Sequence, residues 1–183
     1  MRNRRGMRFL KSLKYAFRGV VYCINNERNM RIHTMATLYV FAFSFFFDLS
    51  RVDYAVLCLT CALVMMAEMF NTVAEELSDM AAASYHPVVR IVKDLAAGGV
   101  LVCAGFSVAV GVCLFWRPAV LWQILRFFLD SPPHLLLLAA VTALGVVYVA
   151  AGPLGIRDFL KRPSRFSGGV PSVRRGDENG PEK

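Results

Sequence analysis

Residues 54–79 read YAVLCLTCALVMMAEMFNTVAEELSD. The first half is an unbroken apolar run, and the second half carries Glu68, Asn71, Glu75 and Asp79. At about 100° per residue on a helix, Asn71 falls near −60° from Glu68, Glu75 near −20° and Asp79 near +20°. All four therefore share one stripe, and Glu76, at about +80° on the same count, lies off it. A carboxylate at the centre of a bilayer costs roughly 2.5–3.5 kcal/mol on insertion scales, so an intramembrane acid is a functional residue by default. The stripe runs from inside the apolar block toward water. Its deep member is a proton-acceptor candidate, and a shallower one can ligate a hard cation such as Mg²⁺. The bland reading of Glu75, Glu76 and Asp79 is a solvated helix end, but Glu68 and Asn71 lie within the apolar block and do not fit it.

The rest of the chain agrees with a membrane setting. Of 183 residues, 56% are hydrophobic and 19% charged, and the apolar residues come in blocks, as in an integral membrane protein. The net charge of +8 is concentrated toward the two ends of the chain. That distribution matches the positive-inside bias of membrane proteins and argues against a groove for nucleic acid. Of the five cysteines, Cys58 and Cys61 have zinc or redox spacing, but no second pair or polar ligand flanks them. They read as ordinary small residues of a membrane helix. The N-terminus lacks the long apolar region and cleavage site of a signal peptide and is expected to be retained.

Residues 9–24 place Phe9, Leu10, Leu13, Ala16, Phe17, Val20, Val21 and Ile24 at helical spacing, with Arg8, Lys11, Lys14 and Arg18 on other faces. This pattern predicts a basic amphipathic helix lying in the headgroup plane. Spans are predicted at about 34–49, 54–73, 95–116 and 135–156, the first short and borrowing residues 30–33 at its start. The predicted fold class is therefore all-α, a multi-pass membrane bundle with an N-terminal surface helix, three core spans and a fourth candidate. The expected divisions are 1–29 for the surface helix and 30–116 for the core. An interfacial linker over 117–133, with Trp122 as anchor, the fourth span over 134–156 and a disordered cytoplasmic tail over 157–183 complete the chain. With the N-terminus in the cytoplasm and four spans, only Arg51, Arg117 and Arg126 lie outside. Three spans would force the basic tail across the membrane.

Two further clusters stand out. Residues 25–33, NNERNMRIH, form a polar knot before the first span that reads equally as a solvated interfacial turn or as part of a site. Lys93 and Asp94 open the third span; Lys93 can supply a point charge to a phosphate, and Asp94 favours the positive end of a helix. No GxxxxGK[ST] loop, protein-kinase signature or HExxH occurs in the sequence. Any nucleotide must be held by acids, lysine and helix ends.

The combination of ERNMRIH (27–33), AEMFNTVAEELSD (67–79), YHP (85–87) and KDLAAGGVL (93–101) resembles the small prokaryotic membrane kinases of the diacylglycerol kinase family. The resemblance covers about residues 8–116, and the ERNMRIH form looks most like the Gram-positive branch that phosphorylates undecaprenol. It implies a homotrimer of short three-span subunits in the cell membrane, with active sites at subunit interfaces on the cytoplasmic side. It implies Glu68 as general base with Asn71 beside it, and Glu27 and Glu75 as ligands of Mg²⁺ bridging the phosphates of ATP. Nucleotide contacts fall on Arg8, Tyr15, Glu27, Glu75, Tyr85, His86, Lys93 and Asp94. Ser84 stands where some members carry an acid, and the fourth span and tail have no counterpart in the minimal family pattern. The acceptor implied is a lipid alcohol, undecaprenol first and diacylglycerol second. Two competing readings are a proton or cation transporter using the same acids and a scaffold without catalysis. Against the transporter, no matching acids continue a path through the other spans.

Overall fold

A computed structural model describes residues 2–81 and 87–160, without the side chains of 2–6 and 158–160. Tyr85, His86 and the tail from residue 161 onward, named above as nucleotide contacts and as a disordered segment, lie outside the described residues. Every described element is a helix: α1 (Arg2–Asn26), α2 (Arg28–Ser44), α3 (Arg51–Ala81), α4 (Pro87–Phe115), α5 (Pro118–Leu129) and α6 (Pro132–Leu160).

Three of these, α3, α4 and α6 (to Arg157), are long and apolar enough to cross a membrane. Helix α2 has 17 residues, roughly 25 Å at the helical rise against about 30 Å of hydrocarbon. It takes in residues 30–33 as expected, starts two residues earlier still, and stops at Ser44, after which Phe45, Phe46 and Phe47 turn the chain. The polar knot is thus no loose turn. Only Glu27 leaves the helical conformation (φ −99°, ψ 119°), and Met30 and Arg31 behind it are buried.

Helix α3 begins with a reciprocal cap: Ser50 N–H donates to Asp53 Oδ2 at 2.9 Å and Asp53 N–H to Ser50 Oγ at 3.2 Å. Two of the first turn's orphan donors are satisfied this way. Helices α3 and α4 form the most extensive pair, α2 lies between α3 and α6, and α6 packs on α1, α2 and α5. At the end of the bundle away from the acids, Arg117 Nη1 donates to the carbonyl of Phe47 at 2.6 Å. The Phe47 and Phe115 rings meet edge to face at 4.9 Å, so the α2–α3 and α4–α5 turns are fastened together.

Little of the apolar surface is covered. The buried apolar side chains are Cys23, Met30, Phe47, Leu57, Val64 and Ile124, and α4 has none among the described residues. Phe9, Leu10 and Phe17 on α1 and Leu101, Phe106 and Val108 on α4 are more than half exposed. Water would not tolerate contiguous apolar patches of this extent; lipid or a neighbouring chain would cover them.

Candidate active site

The α3 stripe emerges as the spacing predicts, with a gradient of depth. Glu68 is 2% exposed and Asn71 8%, whereas the Asp79 side chain is 68% exposed. Asn71 Nδ2 donates to Glu75 Oε1 at 2.8 Å, and Thr72 Oγ1 donates to the Glu68 carbonyl at 3.0 Å, so each turn of the stripe braces the next. Lys93, from the first half of α4, pairs with Asp79. Asp94 points elsewhere: it is exposed and faces Arg90 Nε at 3.8 Å.

The break between α1 and α2 brings the knot to this stripe. His33 Nε2 comes within 3.3 Å of Glu68 Oε1, an ion-pair distance without hydrogen-bond alignment. Glu68 Oε1 and Asn71 Oδ1 are consequently buried acceptors without a hydrogen bond. Leaving such an atom unmade costs about 1–3 kcal/mol, and native structures rarely do so without a use for it. Tyr22 on α1 donates its hydroxyl to Glu76 Oε1 at 2.6 Å, which pushes the phenol above its usual range.

Glu27 sits among these acids. Burial pushes its carboxyl above the usual carboxylate range; Glu75, Glu68 and Glu76 add to the effect, and Arg31 opposes it. Like charges that raise one another in this way are what a divalent cation would offset. Among the described residues no three His, Cys, Asp or Glu side chains make a ready metal cage. Two carboxylates are the donor set Mg²⁺ commonly uses when water and phosphate complete its shell, so Glu27 and Glu75 fit that role.

Arg8 and Tyr15 stand exposed on α1, and among the described residues no hydrogen bond or ion pair links either to the acids. Tyr15 instead lies under the Arg18 guanidinium, 5.8 Å from its ring centroid. His33, Tyr22 and Glu76 are neighbours of the site that the sequence does not single out. His33 was legible only as a polar residue in the knot, and Glu76 was set aside because it leaves the stripe; that same angle turns it toward α1. Apolar clefts flank the acids. One of about 290 Å³ between α3 and α4 reaches Asn71 and is lined by Leu63, Met66, Phe70, Leu95 and Gly99. A smaller one of about 100 Å³ has His33, Thr37, Leu57 and Ser107 in its walls.

The family model for prokaryotic diacylglycerol kinase matches residues 14–115, from α1 to the end of α4. A diacylglycerol kinase of Synechocystis sp. is 42% identical over 110 residues, 60% of this chain and 63% of that protein. The undecaprenol kinase of Bacillus subtilis is 32% identical over 108 residues, 59% of this chain and 88% of its own length. The diacylglycerol kinase of Escherichia coli K12 is 25% identical over 109 residues, 60% of this chain and 89% of that protein. The match thus spans less than two thirds of the Synechocystis relative, and α5 and α6 fall outside the family region.

Proposed function

The chain belongs to the prokaryotic diacylglycerol kinase family, and from that premise we propose that it is a lipid kinase moving the γ-phosphoryl group of ATP to a membrane alcohol. The observation behind the proposal is Glu68 Oε1, a buried acceptor without a hydrogen bond at the edge of the apolar region, set beside Asn71 and His33. Its open lone pair is suited to accept the proton of a hydroxyl that arrives sideways from the bilayer. As the proton passes to Glu68, the alcohol oxygen bonds to the γ-phosphorus. The bond from that phosphorus to the β–γ bridging oxygen breaks, and its electron pair leaves on ADP. Glu27 and Glu75 would hold Mg²⁺, which when bound lowers the charge on the phosphate oxygens. Lys93 adds a positive charge near the water end of the stripe, and α1 forms the floor on which the nucleotide lies, with Arg8 and Tyr15 along it. Tyr85, His86 and Asp94 complete the proposed nucleotide contacts.

Catalysis here is mostly positioning and charge, since a loose phosphoryl transition state leaves the protein little covalent work. The apolar clefts beside Asn71 and His33 support an acceptor whose tail stays in lipid. The assembly we propose is a homotrimer in the cell membrane, with the acids on the cytoplasmic side. Relatives named for both acceptors are similar to this chain, so the acceptor is the point to test. Purified protein in mixed micelles with Mg·ATP should transfer labelled phosphate to undecaprenol, with diacylglycerol compared in parallel. Glu68→Gln should lower the rate by about 10²–10⁴-fold, the usual worth of a general base, while the helix content stays the same. Normal turnover in that variant would remove Glu68 from the chemistry.

A further inference from the structure

Pro153 has no N–H to offer the carbonyl four residues before it, that of Val149. Just ahead of it Gly152 takes φ 67° and ψ 166°, and α6 is broken there. The vacated Val149 carbonyl is not left bare: Arg31 Nε donates to it at 3.1 Å. The same guanidinium reaches the end of α1, where Nη1 donates to the carbonyls of Ile24 at 3.1 Å and Asn25 at 3.0 Å. These are last-turn carbonyls that a helix cannot satisfy by itself. Arg31 is 8% exposed. A Cβ at residue 152 would stand 3.1 Å from its Nη1 and 3.2 Å from its Cζ, so the glycine is also what lets α6 approach the guanidinium so closely.

One side chain therefore ties together the end of α1, the start of α2 and the break in α6. Between the first two sits Glu27, the single residue outside helical conformation at that joint. We propose that Arg31 is a positioning residue for the metal and nucleotide site, and that α6, which lies outside the family region, serves that site by clamping the α1–α2 bend so that Glu27 faces Glu75. The inference rests on the reading of Glu27 and Glu75 as the acids that hold the Mg²⁺–nucleotide complex.

Arg31→Lys keeps the charge but loses the planar fork that spans three carbonyls. Pro153→Ala gives residue 153 an N–H, which can claim the Val149 carbonyl for α6. Alanine is the better helix former, so the change does not weaken α6 itself. Binding is read without turnover, by electron paramagnetic resonance of Mn²⁺ titrated with ADP into detergent-solubilised full-length protein, no lipid acceptor present. Each variant should weaken Mn²⁺ binding about 10–100-fold, as loss of a partner behind a metal ligand does. The double variant should be no weaker than the worse single one, because both cut the same link. Glu27→Gln serves as the reference. If it weakens Mn²⁺ binding while Arg31→Lys and Pro153→Ala leave binding unchanged and lower only the thermal midpoint, the clamp is structural and the inference is overturned. If Glu27→Gln itself has no effect, the metal reading of Glu27 falls and the inference with it.

Discussion

Glu68 and Glu27 show how position divides work between identical side chains. Glu68 lies deep on α3, 2% exposed, with one oxygen near His33 and free of hydrogen bonds. Glu27 stands just before α2, nearer water, and burial together with Glu75, Glu68 and Glu76 raises its pKa. The sign of the resulting pH dependence follows from linkage. A carboxyl whose pKa is higher in the folded protein holds its proton more tightly there than in the unfolded chain. Its contribution to stability is complete below the ordinary glutamate value of about 4.3 and is lost as pH rises through the raised value. Without divalent cation, the thermal midpoint of the detergent-solubilised protein should therefore decline across that window. Mg²⁺ should oppose the decline by binding the deprotonated form. Glu27→Gln should flatten both effects. A midpoint that climbs with pH through the same window in the native protein, and equally in the variant, would contradict the assignment.

At the scale of elements, the long apolar helices α3, α4 and α6 and the stripe were legible because each depends on residues close in sequence. Apolar runs and helical angle fix α3 and α4, and the depth gradient from Glu68 to Asp79 follows from where the apolar run ends. The start of α2 was legible to within two residues. What the sequence could not show is how that start is held: Arg31 bonds to α1 and to α6, the latter 118 positions away. The partners of the stripe were hidden for the same reason: His33 meets Glu68, and Tyr22 meets Glu76, across helices. The far end of the bundle offers a contrast, since Arg117 was legible only as a charge in an outer loop. It holds the carbonyl of Phe47, a residue 2% exposed. Arg117→Ala leaves that carbonyl without its partner and should cost about 1–3 kcal/mol. The thermal midpoint should fall while the rate of the proposed phosphoryl transfer, measured well below it, stays unchanged, because the turn is at the opposite end from the acids. A loss of rate at low temperature with no loss of stability would place Arg117 in the chemistry instead.

Over the whole molecule, polarity is segregated along the helix axes. The acids, the Lys93–Asp79 pair and the Arg31 clamp gather at one end. Aromatic rings and the Arg117 tie close the other, and between them the helices present apolar side chains outward. That outward surface, above all on α4, leaves room for lipid and for the neighbouring subunits of the proposed trimer. Glu27 feels the charges of Glu68 and Glu75 within one chain. This separates two ways of building a shared site. If subunits contribute acids to each other, chains carrying Glu27→Gln and chains carrying Glu68→Gln would complement when mixed, since some sites would receive both intact residues. With all three acids on one chain, every site in such a mixture holds one defect. Co-reconstituted trimers should stay as inactive as either variant alone, at any mixing ratio. Recovery of activity in the mixture, scaled to the fraction of mixed trimers, would mean that Glu27 reaches Glu68 across a subunit boundary in the working enzyme.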